Sequence, residues 1–484
     1  MRYYVVLRYI GLVLLLNALF MAISGCISLI YSDNAFLPLM YGAFVTALFG
    51  VFPIIFIPSF QDITNKEGVF IVVSSWLLSC LVGTIPYLLW GGVFGITNAW
   101  FESVSGYTTT GSTILIDIEA LPMGLLFWRA STHWIGGIGI IIFVLSVLPF
   151  LGAVESILYR SEVSAMVREN FHYRARKAIQ IIAGVYFLLT FLESIALIIA
   201  GMNVFDAVTH SFATIATGGF SPKNASIAYY KNVAIEIIVI LFMVLSGIHF
   251  ALLFNVFTGK IINFWKSSVV RYYLVALLLG ILISSFNIYS QYSTDFPTSV
   301  RSAAFNIISV GTSTGFANAN TAIWPGLSQL LLLFFALQCA CAGSTSGGIK
   351  VDRIVILWKA FLKYFKKMMH PNAVIAVRID KEAISEDLVN RSVLFVAIYI
   401  LFVFISTLLL CIFKVNLLEA FSGTIAAMGN VGPGLGEVGS VGNYASLPIT
   451  AKWILSLVML LGRLEIYAFL IIFTRSQWSK QITY

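Results

Sequence analysis

Charge is what this sequence has least of. Only 10% of its 484 residues are Asp, Glu, Lys or Arg, against 59% hydrophobic residues. A soluble domain carries roughly 25% charged residues, so a chain of this composition must turn most of its surface to lipid. Acids are scarcest: 21 Asp and Glu are scattered over the whole length, too thinly to suggest a catalytic carboxylate pair. No His-Glu-x-x-His zinc motif and no Walker-type phosphate loop occurs, so no catalytic residue is assigned and no enzyme is expected. The five cysteines, Cys26, Cys80, Cys339, Cys341 and Cys411, include no Cys-x-x-Cys pair and fall in or beside apolar stretches. Neither a disulfide framework nor a structural metal site is expected from them. His133, His210 and His249 lack metal-ligand spacing and read as packing or hydrogen-bonding residues. The net charge of +8 is dispersed between hydrophobic spans, which argues against a nucleic-acid partner.

What the chain has instead is apolar runs. A spanning helix needs about 20 largely apolar residues, and 9–30, 37–58, 68–92, 125–151, 179–200, 232–257, 271–290, 388–412 and 450–474 qualify. A further apolar region, 324–366, is interrupted at 342–350 by Gly and Ser. Lipid cannot satisfy an open backbone, so that interruption has to be sheltered by protein or line a wet cavity. Arg2, Arg8 and the run into Ile23-Ser24-Gly25-Cys26 look like a lipoprotein signal, but the many spans that follow favour an uncleaved first helix. Lys and Arg orient the spans. Connections 1–8, 59–67, 152–178, 258–271, 350–391 and 475–484 hold 22 of the 29 basic residues. The opposite side holds Arg129, Lys223, Lys231, Arg301, Lys414 and Lys452, and Arg463 lies within a span. The positive-inside rule then places both termini in the cytoplasm.

Four connections on the other side, 93–124, 201–231, 291–323 and 413–449, share one plan: a modestly apolar segment too short to span, then a turn rich in Gly, Thr and Ser. The turns contain Thr109-Thr110-Gly111, Ala216-Thr217-Gly218, Ser313-Thr314-Gly315 and Asn430-Val431-Gly432. Taking Gly111, Gly218, Gly315 and Gly432 as equivalent gives a repeat of 107, 97 and 117 residues, and a near-constant period indicates an array of one supersecondary unit. The unit is outer helix, short re-entrant helix, glycine turn, inner helix. The expected architecture is an all-α membrane protein. It has an N-terminal transmembrane hairpin (1–60) and four pore repeats (61–160, 161–260, 261–370 and 371–484) around a pseudo-fourfold pore. Glu102, Asp206 and Glu419 stand near the starts of three short segments, where an acid suits a helix N-terminus. The third carries Arg301 there instead, with Asp295 upstream.

Any one such turn could be an ordinary external loop; four at regular spacing suggest a filter. A dehydrated cation needs several oxygens in place of its water, and backbone carbonyls provide them without a fixed charge that would trap it. Aiming successive carbonyls at one axis requires conformations that glycine permits, and the short helices would point their partially negative C-terminal ends the same way. The Thr, Ser and Asn residues beside the glycines are expected to line a wet outer vestibule. The break Gly343-Ser344-Thr345-Ser346-Gly347-Gly348, with Lys350 after it, is read as a mobile intramembrane gate; the alternative is a passive kink. Arg463 is read as an electrostatic barrier facing the pore. About 8 Å from a permeating cation, at an effective dielectric near 20, it would repel by about 2 kcal/mol. The alternative is a structural ion pair, for which Glu465 is poorly placed on a helix. Trp134-Ile135-Gly136-Gly137-Ile138-Gly139 reads as small-residue helix packing.

The four turns, the broken third inner helix and the arginine of the fourth resemble the TrkH/KtrB superfamily of potassium uptake proteins. The runs CAGSTSGGIK at 341–350 and LGRLEIY at 461–467 are the most specific matches. The extra spans 9–30 and 37–58 favour the TrkH branch. The resemblance implies a pore-forming subunit of the bacterial inner membrane, homodimeric with one pore per protomer, that takes potassium as its substrate and binds no cofactor. It also implies a cytosolic TrkA-type ring that binds adenine nucleotides. Potassium would contact backbone around Thr109, Thr110, Ala216, Thr217, Ser313, Thr314, Asn430 and Val431. Serine at a filter glycine goes with sodium permeability in related proteins, so glycine in every quarter implies potassium. Ser346 stands where many members have glycine. The competing reading is an ion-coupled secondary cation transporter with broken helices, which predicts two halves in repeat.

Overall fold

The computed structural model describes residues 2–58, 65–151, 171–257, 259, 265–292, 295–380, 382–466 and 469. Connections 59–67, 152–178, 258–271 and 475–484, on which much of the charge asymmetry rests, lie wholly or partly outside those residues. Two long helices, Tyr3–Ile30 and Phe36–Phe56, form an N-terminal hairpin, and Cys26 lies inside the first. Outer helices follow at Asn65–Gly83 with Ile85–Trp90, Phe171–Ile199, Ser268–Tyr292 and Glu386–Ile412. The hairpin and the outer helices leave apolar side chains open to the surroundings: Phe44 is 69% exposed, Phe191 63% and Phe404 60%. Such a surface is stable only against hydrocarbon.

Between each outer and inner helix lies a short one: Ile96–Tyr107, Val204–Ile215, Phe296–Gly311 and Leu417–Gly429. At 1.5 Å per residue these are roughly 18–24 Å long, less than the roughly 30 Å of a bilayer core. Local chemistry starts them. The Asn203 side chain accepts from the Asp206 N–H at 2.7 Å, and that of Asn416 from the Leu418 N–H at 3.1 Å. Asp206 and Glu419 therefore sit in first turns, as expected. Glu102 does not, because its helix begins at Ile96 and leaves it in the middle.

The inner helices are Met123–Leu151, Val233–Ser246 with Phe250–Phe257, Gly326–Leu337 with Val351–Met369, and Ile449–Arg463. The expected break in the third is present. A second break, read from sequence as part of one span over 232–257, bends the second inner helix by 110° at Gly247-Ile248-His249. The 68–92 span is likewise divided at Thr84. Arg463, expected mid-span, is the last residue of its helix, and Glu465 just beyond is left-handed with φ 49°. The described strands form one small hairpin, Arg378–Ile379 with Glu382–Ala383, so the architecture is all-α in substance.

Candidate functional site

The four short helices end in one geometry. In the first, the N–H of Thr109 donates to Gly106 O at 3.0 Å and that of Thr110 to Ser105 O at 2.9 Å. The same pair recurs as Thr217 to Thr214 and Gly218 to Ala213, Ser313 to Val310 and Thr314 to Ser309, and Asn430 to Ala427 and Val431 to Ala426. This is the Schellman cap, whose C′ residue must be left-handed. Here that residue is Thr109 (φ 51°), Thr217 (54°), Ser313 (57°) and Asn430 (52°). Left-handed backbone costs an L-residue roughly 1–2 kcal/mol, and for a β-branched threonine it is a true outlier. Four such residues at one register mark a backbone shape held for its own sake.

That register corrects the sequence alignment. Two residues after each left-handed residue comes a glycine of positive φ: Gly111 (83°), Gly219 (79°), Gly315 (82°) and Gly432 (96°). The equivalent of Gly111 is therefore Gly219, not Gly218, and Ala216 falls one place too early. Gly218 is small for another reason: a Cβ there would lie 2.4 Å from the His133 ring.

The four glycines close a ring. A Cβ on Gly111 would lie 2.1 Å from Gly218 O, on Gly219 2.1 Å from Thr314 O, on Gly315 2.0 Å from Val431 O, and on Gly432 2.5 Å from Thr110 O. Each turn thus presses its glycine on the preceding carbonyl of the next, in cyclic order. A cavity of about 130 Å³ adjoins the ring and is lined by all four glycines together with Ser112, Lys223 and Tyr444. The carbonyls of residues 109–111, 217, 219, 313–315, 430 and 431 accept no hydrogen bond from the described residues; that of Gly218 meets the His133 imidazole, and that of Gly432 accepts two. Nearly all buried carbonyls in folded proteins are paired, so this run of free oxygens is exceptional.

The left-handed side chains do not line an outer vestibule, as expected from sequence; they are buried. Ser313 Oγ donates to Ser346 Oγ at 3.0 Å and accepts from the Gly347 N–H at 3.1 Å, while Asn430 Nδ2 donates to Thr110 Oγ1 and Met459 O, each at 3.0 Å. Thr109 Oγ1 and Asn430 Oδ1 have no hydrogen-bond partner among the described residues.

Ser313 thereby ties the ring to the broken helix. Residues 339–348 make a buried excursion whose ends meet in a bridge between Gln338 and Ile349. Thr345 Oγ1 donates to Ile215 O at 2.9 Å, Lys350 Nζ donates to Ser346 O, and Ala342 N donates to Asp352 Oδ2 at 2.6 Å. Gly343 packs on His249, and Gly347 on Asn430. The unforeseen break in the second inner helix belongs to the same assembly: Cys341 N donates to Gly247 O at 3.0 Å and Phe250 N to Gly343 O at 3.2 Å. Arg463 is buried beside it, donating to Thr345 O at 2.6 Å and to Gly136 O at 3.1 Å. Glu465 pairs with Arg353 at 2.7 Å, which disposes of an Arg463–Glu465 pair.

Behind the ring stands a buried pair that sequence reading divided. Arg129, counted there as a connection residue, lies within the first inner helix and meets Glu102 at 2.6 Å. It also donates to Ser221 O at 3.1 Å, and its guanidinium stacks 3.5 Å from the centroid of Phe220. His133 lies 2.7 Å from Gly106 O through Nδ1 and accepts from Phe220 N at 3.2 Å, and Gly136 abuts the Tyr107 carbonyl.

Residues 42–482 match the TrkH family, described as cation transport protein. The chain belongs to the TrkH family. Within that family it is 35% identical to the Trk system potassium uptake protein TrkH of Escherichia coli K12, over 99% of this chain and 100% of that one. It is 32% identical to the Trk system potassium uptake protein TrkI of Halomonas elongata, over 99% and 97%. The crystal structure of the potassium transporter TrkH from Vibrio parahaemolyticus superimposes with a TM-score of 0.90 at 32% identity, covering 99% of this chain and 100% of that one. The TrkH fold and a multi-pass membrane protein are therefore established.

Proposed function

We propose that this protein takes up potassium across the bacterial inner membrane, as the pore-forming subunit of a Trk-type system with both termini cytoplasmic. The observation that carries the reading is the closed four-quarter ring in which the consecutive carbonyls, those of Gly218 and Gly432 excepted, lack hydrogen-bond donors among the described residues. Such oxygens stand in for the hydration shell of a monovalent cation, and their weak individual charge lets the ion leave. The filter comprises Thr109, Thr110, Gly111, Thr217, Gly218, Gly219, Ser313, Thr314, Gly315, Asn430, Val431 and Gly432. Glycine at every ring position favours potassium. A ring closed in one sense by four like units supports a channel-like path over a carrier built of two repeated halves.

Below the filter residues, loop 343–348 and Arg463 form the gate. The loop touches three of the four quarters, at Ile215, Ser313 and Asn430. Arg463 holds it through the Thr345 carbonyl, so its role combines a latch with a positive charge against cations. Opening requires those bonds to part. The basic segment 350–391 supplies a docking surface for a TrkA-type ring that responds to adenine nucleotides, and two protomers associate with one pore each.

The test is rubidium uptake into liposomes containing the purified protein, competed by potassium, sodium and lithium. Potassium should compete far better than sodium or lithium. Equal competition by sodium would remove the potassium assignment, and flux that strictly requires a second ion would favour the ion-coupled carrier.

A further inference from the structure

Nine residues before its ring glycine, each short helix carries a position aimed at the chain that follows the turn. In the first quarter Glu102 accepts from Thr113 Oγ1 at 3.0 Å and from Ile114 N at 3.1 Å. In the second, His210 Nε2 lies 3.0 Å from Ser221 Oγ. In the third, Asn306 Nδ2 donates to Asn318 Oδ1 at 2.8 Å. These are struts, each bracing its turn from behind. The fourth position is Gly423, which has no side chain to offer.

Tyr444 occupies the space Gly423 leaves. Its hydroxyl lies 3.9 Å from where a Gly423 Cβ would stand, its ring packs on Phe101 at 5.6 Å between centroids, and its N–H donates to Thr113 O at 2.8 Å. Unlike the other struts, it bonds the ring itself: Tyr444 O–H donates to Gly432 O at 2.7 Å. Ser112 O–H donates to the same oxygen at 3.1 Å. A carbonyl oxygen has two lone pairs, and both are engaged. The equivalent oxygens of Gly111, Gly219 and Gly315 accept nothing from the described residues.

We propose that Tyr444 is a positioning residue that withdraws one of the four outermost ring carbonyls, leaving a three-oxygen outer site for a monovalent cation that keeps part of its water shell. The inference rests on the cation-filter reading. Its consequence is an entrance less demanding than the rings beneath it, where an arriving ion sheds water in stages. Binding at the mouth is weakened, and transit is favoured over retention.

Tyr444→Phe removes only the donor and keeps the ring packing. In liposomes, external potassium should then inhibit rubidium uptake at a concentration lower by roughly 2- to 12-fold, the factor one neutral hydrogen bond is worth, while sodium competition stays unchanged. Ser112→Ala, which frees the same oxygen from its other side, should shift the potassium curve in the same direction. A purely structural tyrosine would lower thermal stability and maximal rate and leave the potassium-to-sodium ratio unmoved. Wild-type competition curves in both variants would overturn the inference. Gly315→Ser separates the two readings. If it abolishes discrimination while Tyr444→Phe and Ser112→Ala change nothing, only the outer-site inference falls. If Gly315→Ser also leaves discrimination intact, the filter reading falls with it.

Discussion

The two adjacent glycines of the second turn provide the sharpest test, because they are small for different reasons. Gly219 has φ 79°, and a Cβ there would stand 2.1 Å from the Thr314 carbonyl oxygen, where ordinary contact begins near 3.4 Å. Gly219→Ala must therefore push a ring oxygen back by roughly 1.3 Å or abandon the left-handed conformation, at a strain cost of roughly 1–2 kcal/mol. If that cost falls on the ion-bound ring, potassium-over-sodium discrimination should drop by about 5- to 30-fold. Gly218→Ala meets the His133 ring instead, at 2.4 Å, and an imidazole can be removed. His133→Ala should restore much of what Gly218→Ala loses and nothing of what Gly219→Ala loses. Rubidium uptake with potassium and sodium competition, read across both double-mutant cycles, distinguishes them. Equal effects of the two alanines, or rescue of Gly219→Ala by His133→Ala, would refute the register and the closed ring built on it.

Arg463→Gln forfeits the charge and weakens the hold on the Thr345 and Gly136 carbonyls; resting flux without any cytosolic partner should rise severalfold, and unchanged flux would count against the latch. Deletion of 343–348 should raise flux further, since it removes the contacts to Ile215 and Ser313; flux equal to the parent would make the loop a passive kink. Glu102→Gln leaves Arg129 buried without its counter-charge, a loss of about 3–5 kcal/mol, visible as a lower melting temperature in detergent. An apolar pair at both positions, Glu102→Leu with Arg129→Met, should recover much of that loss.

Apolar runs of spanning length, the shorter helices between them and the interruption at 342–350 were legible because lipid imposes a strict rule on composition and length. The break at 247–249 escaped it. Gly247-Ile248-His249 is as apolar and short as many helical stretches, and the bonds made across its break, Cys341 N to Gly247 O and Phe250 N to Gly343 O, come from the neighbouring quarter. Arg129 and Glu102 are both visible as residues, yet local pattern places one in a connection and the other in a first turn. Their pairing depends on how two helices cross, and no local pattern encodes that.

The misplacement of Gly218 has a more general cause. Residue identity at the turn answers several demands at once: freedom of φ at Gly219, space for His133 at Gly218, and a tolerable left-handed residue at Thr217. Two glycines side by side cannot be told apart by composition. The constraint that repeats is conformational, a left-handed residue followed after one intervening residue by glycine, and the first, third and fourth quarters display it with a single candidate glycine at that step while the second offers two. The same reasoning explains why Tyr444 was invisible. A strut nine residues before the ring glycine looks like a repeat only when the glycine is placed correctly, and where the strut becomes Gly423 its function passes to a residue twelve positions beyond Gly432. Quasi-symmetry in this fold is thus kept by the backbone and broken by side chains. The places where it is broken, at Tyr444 on one side of the ring and at Arg463 and the 343–348 loop on the other, are where, on the function we propose, one quarter of the chain controls an ion path that all four build.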